Sequence, residues 1–234
     1  MPNDGRKLFD LDHAVPWGRS RADYCAFFDL GDMPPTARIL DCAAGPSCFT
    51  AESTRLGQTV TAVDPLYHHS AAEIARRIEA EVPRQVDSLR RARHHFVWDR
   101  YGTPEALVEQ RLAAMRAFLD DYREAQGSAR YLAAALPILP FRERCFDLAL
   151  CSHFLFLYGH LFDAAFHIVA IAGLLRAARE VRIFPLLDLE GAPSAHLGPV
   201  RQALAARGAE SEIRPVPYEF QRGGNRMLRI LTPP

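Results

Sequence analysis

Two aspartates at the ends of strand-like segments are the residues of this sequence with the clearest potential for chemistry. Asp41 precedes a run of small residues, Ala-Ala-Gly-Pro-Ser over 43–47, which lets a ligand approach the backbone amides at a helix start. Asp64 follows a β-branched segment, and a carboxylate in that position can accept hydrogen bonds from both hydroxyls of a ribose. The pair predicts a site for a ligand that contains a ribose.

A serine and a histidine end a third apolar segment, 146–151. His153 is a candidate general base, because an imidazole with an ordinary pKa titrates near neutral pH and can take a proton from an acceptor group. The alternative is that His153 only orders its loop through hydrogen bonds. Both interpretations stay open at this point.

The segments that must position these residues alternate between strand and helix patterns. The predicted strands cover 38–42, 59–63, 131–136, 146–151 and 181–187. The predicted helices between them cover 49–56, 161–179 and 198–207. This spacing is typical of parallel βαβ units, in which ligands bind beyond the carboxyl ends of the strands. Two last segments, 212–220 and 226–231, flank an Arg-Gly-Gly-Asn turn and predict an antiparallel hairpin.

An inserted pair of helices interrupts the alternation between about residues 68 and 127. The first is predicted over 70–98 with a kink at Pro83, and the second begins at Thr103 and ends at Gly127. An apolar stripe runs along the second helix through Val108, Leu112, Met115, Leu119 and Tyr122. A single crossover helix would be much shorter, so we expect the pair to form a lid or an acceptor wall, although its stripe could equally be a dimer surface.

In these patterns, the chain from Ile39 onward resembles the class I S-adenosylmethionine-dependent methyltransferases. The first turn of that family reads acidic-x-Gly-x-Gly-x-Gly. Asp41 and Gly45 match this pattern, while Ala43 and Ser47 replace the two outer glycines.

The resemblance continues in the stretch that leads into the fourth strand. Leu-Pro-Phe at 139–141 and Cys-Phe-Asp-Leu-Ala-Leu-Cys-Ser at 145–152 are similar to the family's run at this place. Two family features are missing. Ala135 stands where many members have a carboxylate for the adenine amino group, and Ser152-His153 stands where amino-methylating members have Asn-Pro-Pro-aromatic.

The resemblance implies an α/β fold of a single domain over 1–234, with a Rossmann-like, mostly parallel sheet and a C-terminal antiparallel hairpin. It implies S-adenosylmethionine as cofactor, S-adenosylhomocysteine as product, and methyl transfer to an oxygen, nitrogen or sulfur of a small molecule. The degenerate glycines leave a second interpretation, a non-catalytic S-adenosylmethionine-binding sensor or partner subunit. A protein methyltransferase is a third.

The resemblance also implies a role for each candidate residue. The expected cofactor contacts are Asp41, Ala43, Gly45 and Ser47 at the methionine end, Asp64 at the ribose, Ala135 and Leu136 at the adenine, and in addition Pro65 and Ser152. Ser152 and His153 would face the acceptor. Segment 1–36 could close over the cofactor, with Arg19 pairing with the methionine carboxylate.

Charge and composition limit the kinds of partner that can be expected. Lysine and arginine together number 28, as do aspartate and glutamate, so the formal net charge is zero and a nucleic-acid partner is not expected. No apolar run approaches the length of a membrane helix, and five cysteines without a secretory signal favour the cytoplasm. His160, Asp163 and His167 share a helical face, but they suit a helix start better than a metal site, and no metal is predicted. We expect a monomer or a homodimer.

Overall fold

The computed structural model describes residues 15–31, 33–125 and 127–231. The strands are β1 (Arg38–Cys42), β2 (Thr59–Val63), β3 (Tyr131–Leu132), β4 (Phe146–Ser152), β5 (Ala178–Phe184), β6 (Glu210–Pro215) and β7 (Arg226–Leu231). The α-helices are α1 (Arg21–Phe28), α2 (Phe49–Arg55), α3 (Ala71–Arg91), α4 (Pro104–Glu124), α5 (Ala164–Ala177) and α6 (Leu197–Ala205). Short 3-10 helices cover Pro65–His68 and Arg93–His95.

The strands form one seven-stranded sheet in the order β3-β2-β1-β4-β5-β7-β6. β1 pairs in parallel with both β2 and β4, and β4 pairs in parallel with β5. β7 runs antiparallel to both of its neighbours, β5 and β6. The predicted fold class is therefore confirmed. The direction in which successive strands are added reverses between β1 and β4, and ligands bind at such a reversal in open α/β sheets.

Alternation along the strands sends successive side chains to opposite faces of the sheet. Leu40 and Cys42 of β1 pack in the apolar layer that includes α5 and α6. Ile39 packs in the opposite layer, which includes α1 and part of α4. Asp41 has the same parity as Ile39, so its side chain lies on the α1 side of the sheet.

The inserted helices carry the start signals expected from the sequence. Ser70 and Glu73 form a capping box at the start of α3, and the Thr103 hydroxyl accepts a hydrogen bond from the Ala106 N–H at the start of α4. α3 continues through Pro83 but ends at Arg91, well before the predicted end at residue 98. The apolar stripe of α4 is buried within this chain or partly buried against its cores, which corrects the interpretation of the stripe as a dimer surface.

Three segments differ from the predicted strands. β3 ends at Leu132 instead of residue 136, and residues 134–136 leave the sheet before a cis Leu136–Pro137 bond. β5 ends at Phe184 instead of residue 187, because Pro185 has no N–H with which to continue a ladder. The loop from β6 to β7 covers 216–225 and is not a tight turn. Its residue Phe220 accepts a hydrogen bond from the Val97 N–H at 2.7 Å, so the loop is fastened to the insertion.

Within the described ranges, none of the helices combines the length and the apolar character needed to cross a bilayer.

Candidate functional site

A cavity of about 820 Å³ lies at the carboxyl ends of the parallel strands. Residues following β1, β2, β3, β4 and β5 all contribute to its wall, as do α3, α4, the segment before α1 and the β6–β7 loop. Its volume falls in the range of small-molecule sites. Nine of the eleven residues that the sequence singled out line this cavity: Arg19, Ala43, Gly45, Asp64, Pro65, Ala135, Leu136, Ser152 and His153.

The loop after β1 has the backbone shape of a glycine-rich turn although it contains only one glycine. Gly45 adopts a φ of 55°, and Ala43, which replaces an outer glycine, adopts a φ of 54°. The left-handed conformation costs an alanine about 1–2 kcal/mol, and strain of this kind is found at functional sites. Ala43 therefore adopts a conformation that glycine adopts without this cost.

Asp64 joins this loop to the end of β2. Its Oδ2 accepts a hydrogen bond from the Gly45 N–H at 2.9 Å, and its Oδ1 accepts one from the Leu66 N–H at 2.8 Å. Burial raises the pKa of this carboxyl, and the two backbone donors only partly offset that effect. Each oxygen keeps a second lone pair with which to accept a hydrogen bond from a hydroxyl of a ligand in the cavity.

Asp41 and Ser47 do not line the cavity, in contrast to the expected direct contact. Asp41 is fully buried on the α1 side of the sheet, where its Oδ1 accepts a hydrogen bond from the Tyr24 hydroxyl at 3.0 Å. The Ser47 hydroxyl donates to the carbonyl of Arg19 at 2.8 Å. Both residues therefore act through others, since Tyr24 and Arg19 are themselves part of the cavity wall.

Burial raises the pKa of Asp41 well above its ordinary value, and its Oδ2 has no hydrogen-bond partner among the described residues. Above about pH 4 the unfolded chain has lost this proton while the folded protein keeps it, so the free energy of unfolding falls as pH rises through that window. Asp41→Asn supplies the same shape without the proton. We expect the Asp41→Asn protein to match or exceed the wild-type melting temperature at pH 7. We also expect its melting temperature to fall less than that of the wild type between pH 5 and pH 7.

Thermal unfolding followed by circular dichroism checks this prediction. Asp41→Ala is the control, because it removes the acceptor of the Tyr24 hydroxyl and should destabilise the protein by about 1–3 kcal/mol. A loss of the same size in Asp41→Asn at pH 7 would contradict a protonated carboxyl.

Arg19 lines the cavity, and its guanidinium has no counterion among the described residues. Its Nη1 donates to the carbonyl of Trp17 at 2.6 Å, and no described carboxylate lies within ion-pair distance of it. Burial and the nearby positive charge of Arg111 lower its pKa to about 10. An anionic group of a ligand would stabilise the charged guanidinium and so offset both the burial and the repulsion from Arg111.

Ser152 and His153 form a pair at the end of β4. His153 has a left-handed φ of 53°, and its N–H donates to the carbonyl of Phe184 at 2.6 Å. Its Nδ1 lies 2.8 Å from the Ser152 hydroxyl, and no hydrogen bond among the described residues uses its Nε2. Burial, Arg19 and Arg111 lower its pKa well below the ordinary value, so the imidazole is neutral at physiological pH.

A buried polar network that sequence reasoning missed connects the cavity to the insertion. Arg111 of α4 forms an ion pair with Asp23 of α1, and its Nη2 donates to the Tyr101 hydroxyl at 2.8 Å. The Tyr101 hydroxyl lies 3.0 Å from that of Tyr218, and both Arg111 and Tyr218 line the cavity. One signal was available in the sequence. Arg111 lies four residues after Leu107, and residues with this spacing share a face of a helix.

His167, one of the two histidines on the helical face considered for a metal, has a structural role. His167 is fully buried, its Nε2 accepts a hydrogen bond from the Phe156 N–H at 3.1 Å, and its Nδ1 lies 2.7 Å from the carbonyl of Asp163. In the part of the chain that the structure describes, no three His, Cys, Asp or Glu side chains are grouped as metal ligands.

Comparison with known proteins gives one clear relative in sequence. No protein-family model matches the chain. The uncharacterized protein MJ0045 of Methanocaldococcus jannaschii is 31% identical over 225 residues, which cover 96% of this chain and 99% of that protein.

Solved structures with a similar fold share little sequence with the chain. A magnesium protoporphyrin IX methyltransferase from Synechocystis PCC 6803 with bound S-adenosylmethionine is 12% identical, with a TM-score of 0.46 over 88% of this chain and 74% of that one. A TehB-like S-adenosylmethionine-dependent methyltransferase from Corynebacterium glutamicum is 16% identical, with a TM-score of 0.46 over 92% and 85% of the two chains. The strand order remains the observation that defines the fold.

Proposed function

We propose that this chain, which belongs to the same family as MJ0045 of M. jannaschii and has the fold of the class I S-adenosylmethionine-dependent methyltransferases, transfers a methyl group from S-adenosylmethionine to a small molecule. The observation that carries the proposal is the junction of Asp64 with the loop after β1 on the wall of the cavity. A carboxylate for ribose hydroxyls and a bare backbone turn then lie side by side at the reversal of strand order.

The remaining cavity residues suit the other parts of this cofactor. The guanidinium of Arg19, which has no ion-pair partner in the part of the chain that the structure describes, suits a carboxylate, which is the group at the methionine end. Pro65, Ala135 and Leu136 offer apolar surface for the adenine on the side of β2 and β3. Asp41 and Ser47 position this site indirectly through the contacts already described.

Ser152 and His153 would serve the acceptor. Bound S-adenosylmethionine supplies a methyl group on a sulfonium, which needs little activation beyond in-line alignment, and alignment contributes up to about 7–11 kcal/mol. In the tautomer whose Nδ1–H donates to the Ser152 hydroxyl, Nε2 of His153 carries no proton and can receive one from an acceptor hydroxyl or amine. Because the imidazole is neutral, it is ready to accept that proton at physiological pH.

Isothermal titration with S-adenosylmethionine and S-adenosylhomocysteine tests cofactor binding directly. We expect both to bind, and Asp64→Ala to weaken binding by about 2–3 kcal/mol, or about 30- to 150-fold, because charge-assisted hydrogen bonds to the ribose are lost. Asp120→Ala is the matched control, since that side chain is 69% exposed and forms a surface ion pair with Arg123.

Circular dichroism is needed beside this titration, because Asp64 also accepts the backbone hydrogen bonds of Gly45 and Leu66. A folded Asp64→Ala protein with wild-type affinity would show that Asp64 does not hold the ribose. Failure of the wild-type protein to bind either compound at high micromolar concentration would overturn the cofactor assignment itself.

Transfer of label separates the enzyme from the two alternatives. Incubation with S-adenosylmethionine labelled in its methyl group and a cell metabolite extract should yield a labelled small molecule. Label that appears only in the protein fraction would favour a protein methyltransferase. Binding without any transfer would favour a sensor or a partner subunit.

A further inference from the structure

We propose that the methyl acceptor is a small molecule with an apolar, aromatic body, and that it binds to a wall of apolar side chains that begins directly after His153. This proposal rests on the proposed function. We call this surface the aromatic wall, and it consists of Phe154, Leu157, Tyr158, Phe162, Phe166 and Leu189, all of which line the cavity.

The rings of the aromatic wall form one continuous surface. The Phe154 and Phe162 rings lie 5.2 Å apart, and the Phe162 and Phe166 rings stack at 4.3 Å. Tyr158 joins the surface through Phe154 at 6.4 Å. The three phenylalanines are only partly buried, so they keep ring surface free to pack against a ligand in the cavity.

The aromatic wall offers almost nothing to a charged or strongly polar ligand. None of its six side chains carries a charge, and its single polar atom, the Tyr158 hydroxyl, already accepts a hydrogen bond from the Val15 N–H at 3.1 Å. An apolar ligand gains free energy by leaving water here, and aromatic rings add stacking and edge contacts. A hydrophilic ligand would lose its hydration without replacement.

Polar groups return at the start of the wall, where Phe154 directly follows Ser152 and His153. An acceptor that packs on the wall can therefore place one hydroxyl, amine or thiol at His153. This arrangement, an apolar body with one polar group at the reacting end, is the ligand chemistry that the wall and the histidine select together.

The cofactor residues occupy a different part of the cavity. They follow β1, β2 and β3, whereas the aromatic wall follows β4 and β5 on the other side of the strand reversal. A volume of about 820 Å³ is near the upper end of the range for small-molecule sites, which suits two ligands held together.

The covering of the cavity favours a small molecule over a macromolecule. The β6–β7 loop is fastened to the insertion by two backbone hydrogen bonds, from Val97 N–H to the Phe220 carbonyl at 2.7 Å and from Arg222 N–H to the His95 carbonyl at 3.0 Å. The segment before α1 reaches the wall itself through Val15 and Tyr158. Hydrogen bonds of this kind between segments that line the cavity suit a ligand small enough for the cavity to enclose.

Calorimetry on the full chain saturated with S-adenosylhomocysteine tests the proposal. 2-Naphthol is the probe, and serine is the hydrophilic comparison. We expect 2-naphthol to bind and serine not to bind. Phe162→Ala should weaken 2-naphthol binding about tenfold and leave the affinity for S-adenosylhomocysteine within twofold of wild type.

Two further variants keep the test decisive. Leu56→Ala removes an apolar side chain that is 63% exposed and outside the cavity, and it should change neither affinity. Phe162→Leu, which keeps apolar volume but removes the ring, replaces Phe162→Ala if that variant does not fold, and it should weaken 2-naphthol binding by severalfold.

The outcomes separate this proposal from the proposed function. Failure of the wild-type protein to bind S-adenosylhomocysteine would overturn the proposed function and this inference with it. If S-adenosylhomocysteine binds but 2-naphthol does not, or binds equally well to both Phe162 variants, the aromatic acceptor is wrong and the cofactor assignment stands. If the Phe162 variants weaken S-adenosylhomocysteine binding instead, the aromatic wall belongs to the cofactor.

Discussion

Replacing Arg111 with alanine should lower the free energy of unfolding by about 3–5 kcal/mol, because it removes the buried partner charge of the Asp23 carboxylate and leaves Arg100, which is 41% exposed and lies at 3.5 Å. Asp23 is 5% exposed and Arg111 is 3% exposed, and the two side chains form an ion pair between α1 and α4. Tyr101, which hydrogen-bonds to both, would lose one of its own partners. Urea unfolding followed by circular dichroism measures the difference.

The pH dependence of this loss identifies its cause. Burial alone would raise the pKa of Asp23, but the charge of Arg111 and the Ser20 N–H lower it below the ordinary value. In the wild-type protein this carboxylate therefore contributes stability above about pH 4, which is lost as pH falls through the lowered pKa. In Arg111→Ala the Asp23 carboxylate keeps only the weaker contact with the half-exposed Arg100 and takes up a proton at higher pH, so the difference between the two proteins should shrink from pH 7 to pH 4.5.

Arg123→Ala is the matched control, because Arg123 forms an exposed ion pair with Asp120 on the same helix. Such pairs contribute at most about 1 kcal/mol. The double variant Asp23→Asn with Arg111→Met should lose less free energy of unfolding than the variants Asp23→Asn and Arg111→Met lose together, since it removes both charges. An Arg111→Ala protein that loses less than 1 kcal/mol, or a loss that does not depend on pH, would contradict a buried ion pair.

His153→Ala should lower the turnover number by about 100- to 10,000-fold if the imidazole takes the acceptor proton. Its neutral form suits that role, as does its Nε2, which has no hydrogen-bond partner among the described residues. The measurement is transfer of labelled methyl to the acceptor recovered from the metabolite extract, with affinity for S-adenosylhomocysteine as the control that should stay unchanged. His153→Gln keeps polar atoms in place without a basic nitrogen, so it separates the base from an orienting residue.

The pH profile adds a second readout. Burial and the charges of Arg19 and Arg111 hold the pKa of His153 well below 6.5, so the active neutral form persists as pH falls through 6.5. We expect turnover to show no loss from this group between pH 8 and pH 6.5 and to decline only at lower pH. Activity of His153→Gln equal to wild type would show that His153 orders its loop and takes no proton.

Local sequence patterns were enough to predict most of the elements that position the site. β1 and β2 have the predicted bounds of 38–42 and 59–63, because each is a short apolar or β-branched run bounded by turn residues. The caps at Ser70 and Thr103 mark helix starts that form as predicted. The predicted end of β3 was wrong because the departure of 134–136 from the sheet depends on how neighbouring segments pack. The predicted end of β5 was wrong because Pro185 has no N–H with which to continue the ladder.

The candidate site was predictable where its residues directly follow strands. Parallel strands end at a common edge, so Gly45, Asp64 and His153 could be expected to meet before any coordinates were known. Ala43 also follows this logic, since its left-handed φ shows that the loop shape persists without the glycine. These positions depend on chain order and on periodicity, both of which can be read along a single sequence.

Only the tertiary structure decided which groups act directly and which act through others. The alternation along β1 allowed two directions for Asp41, and the packing of Tyr24 on the α1 side selected the one that faces away from the cavity. Asp23, Tyr101, Arg111 and Tyr218 come from four separate segments, and no spacing along the chain relates them. Their network exists because burial leaves each polar group only the partners that other elements bring within hydrogen-bond distance, and those partners are set by packing in three dimensions.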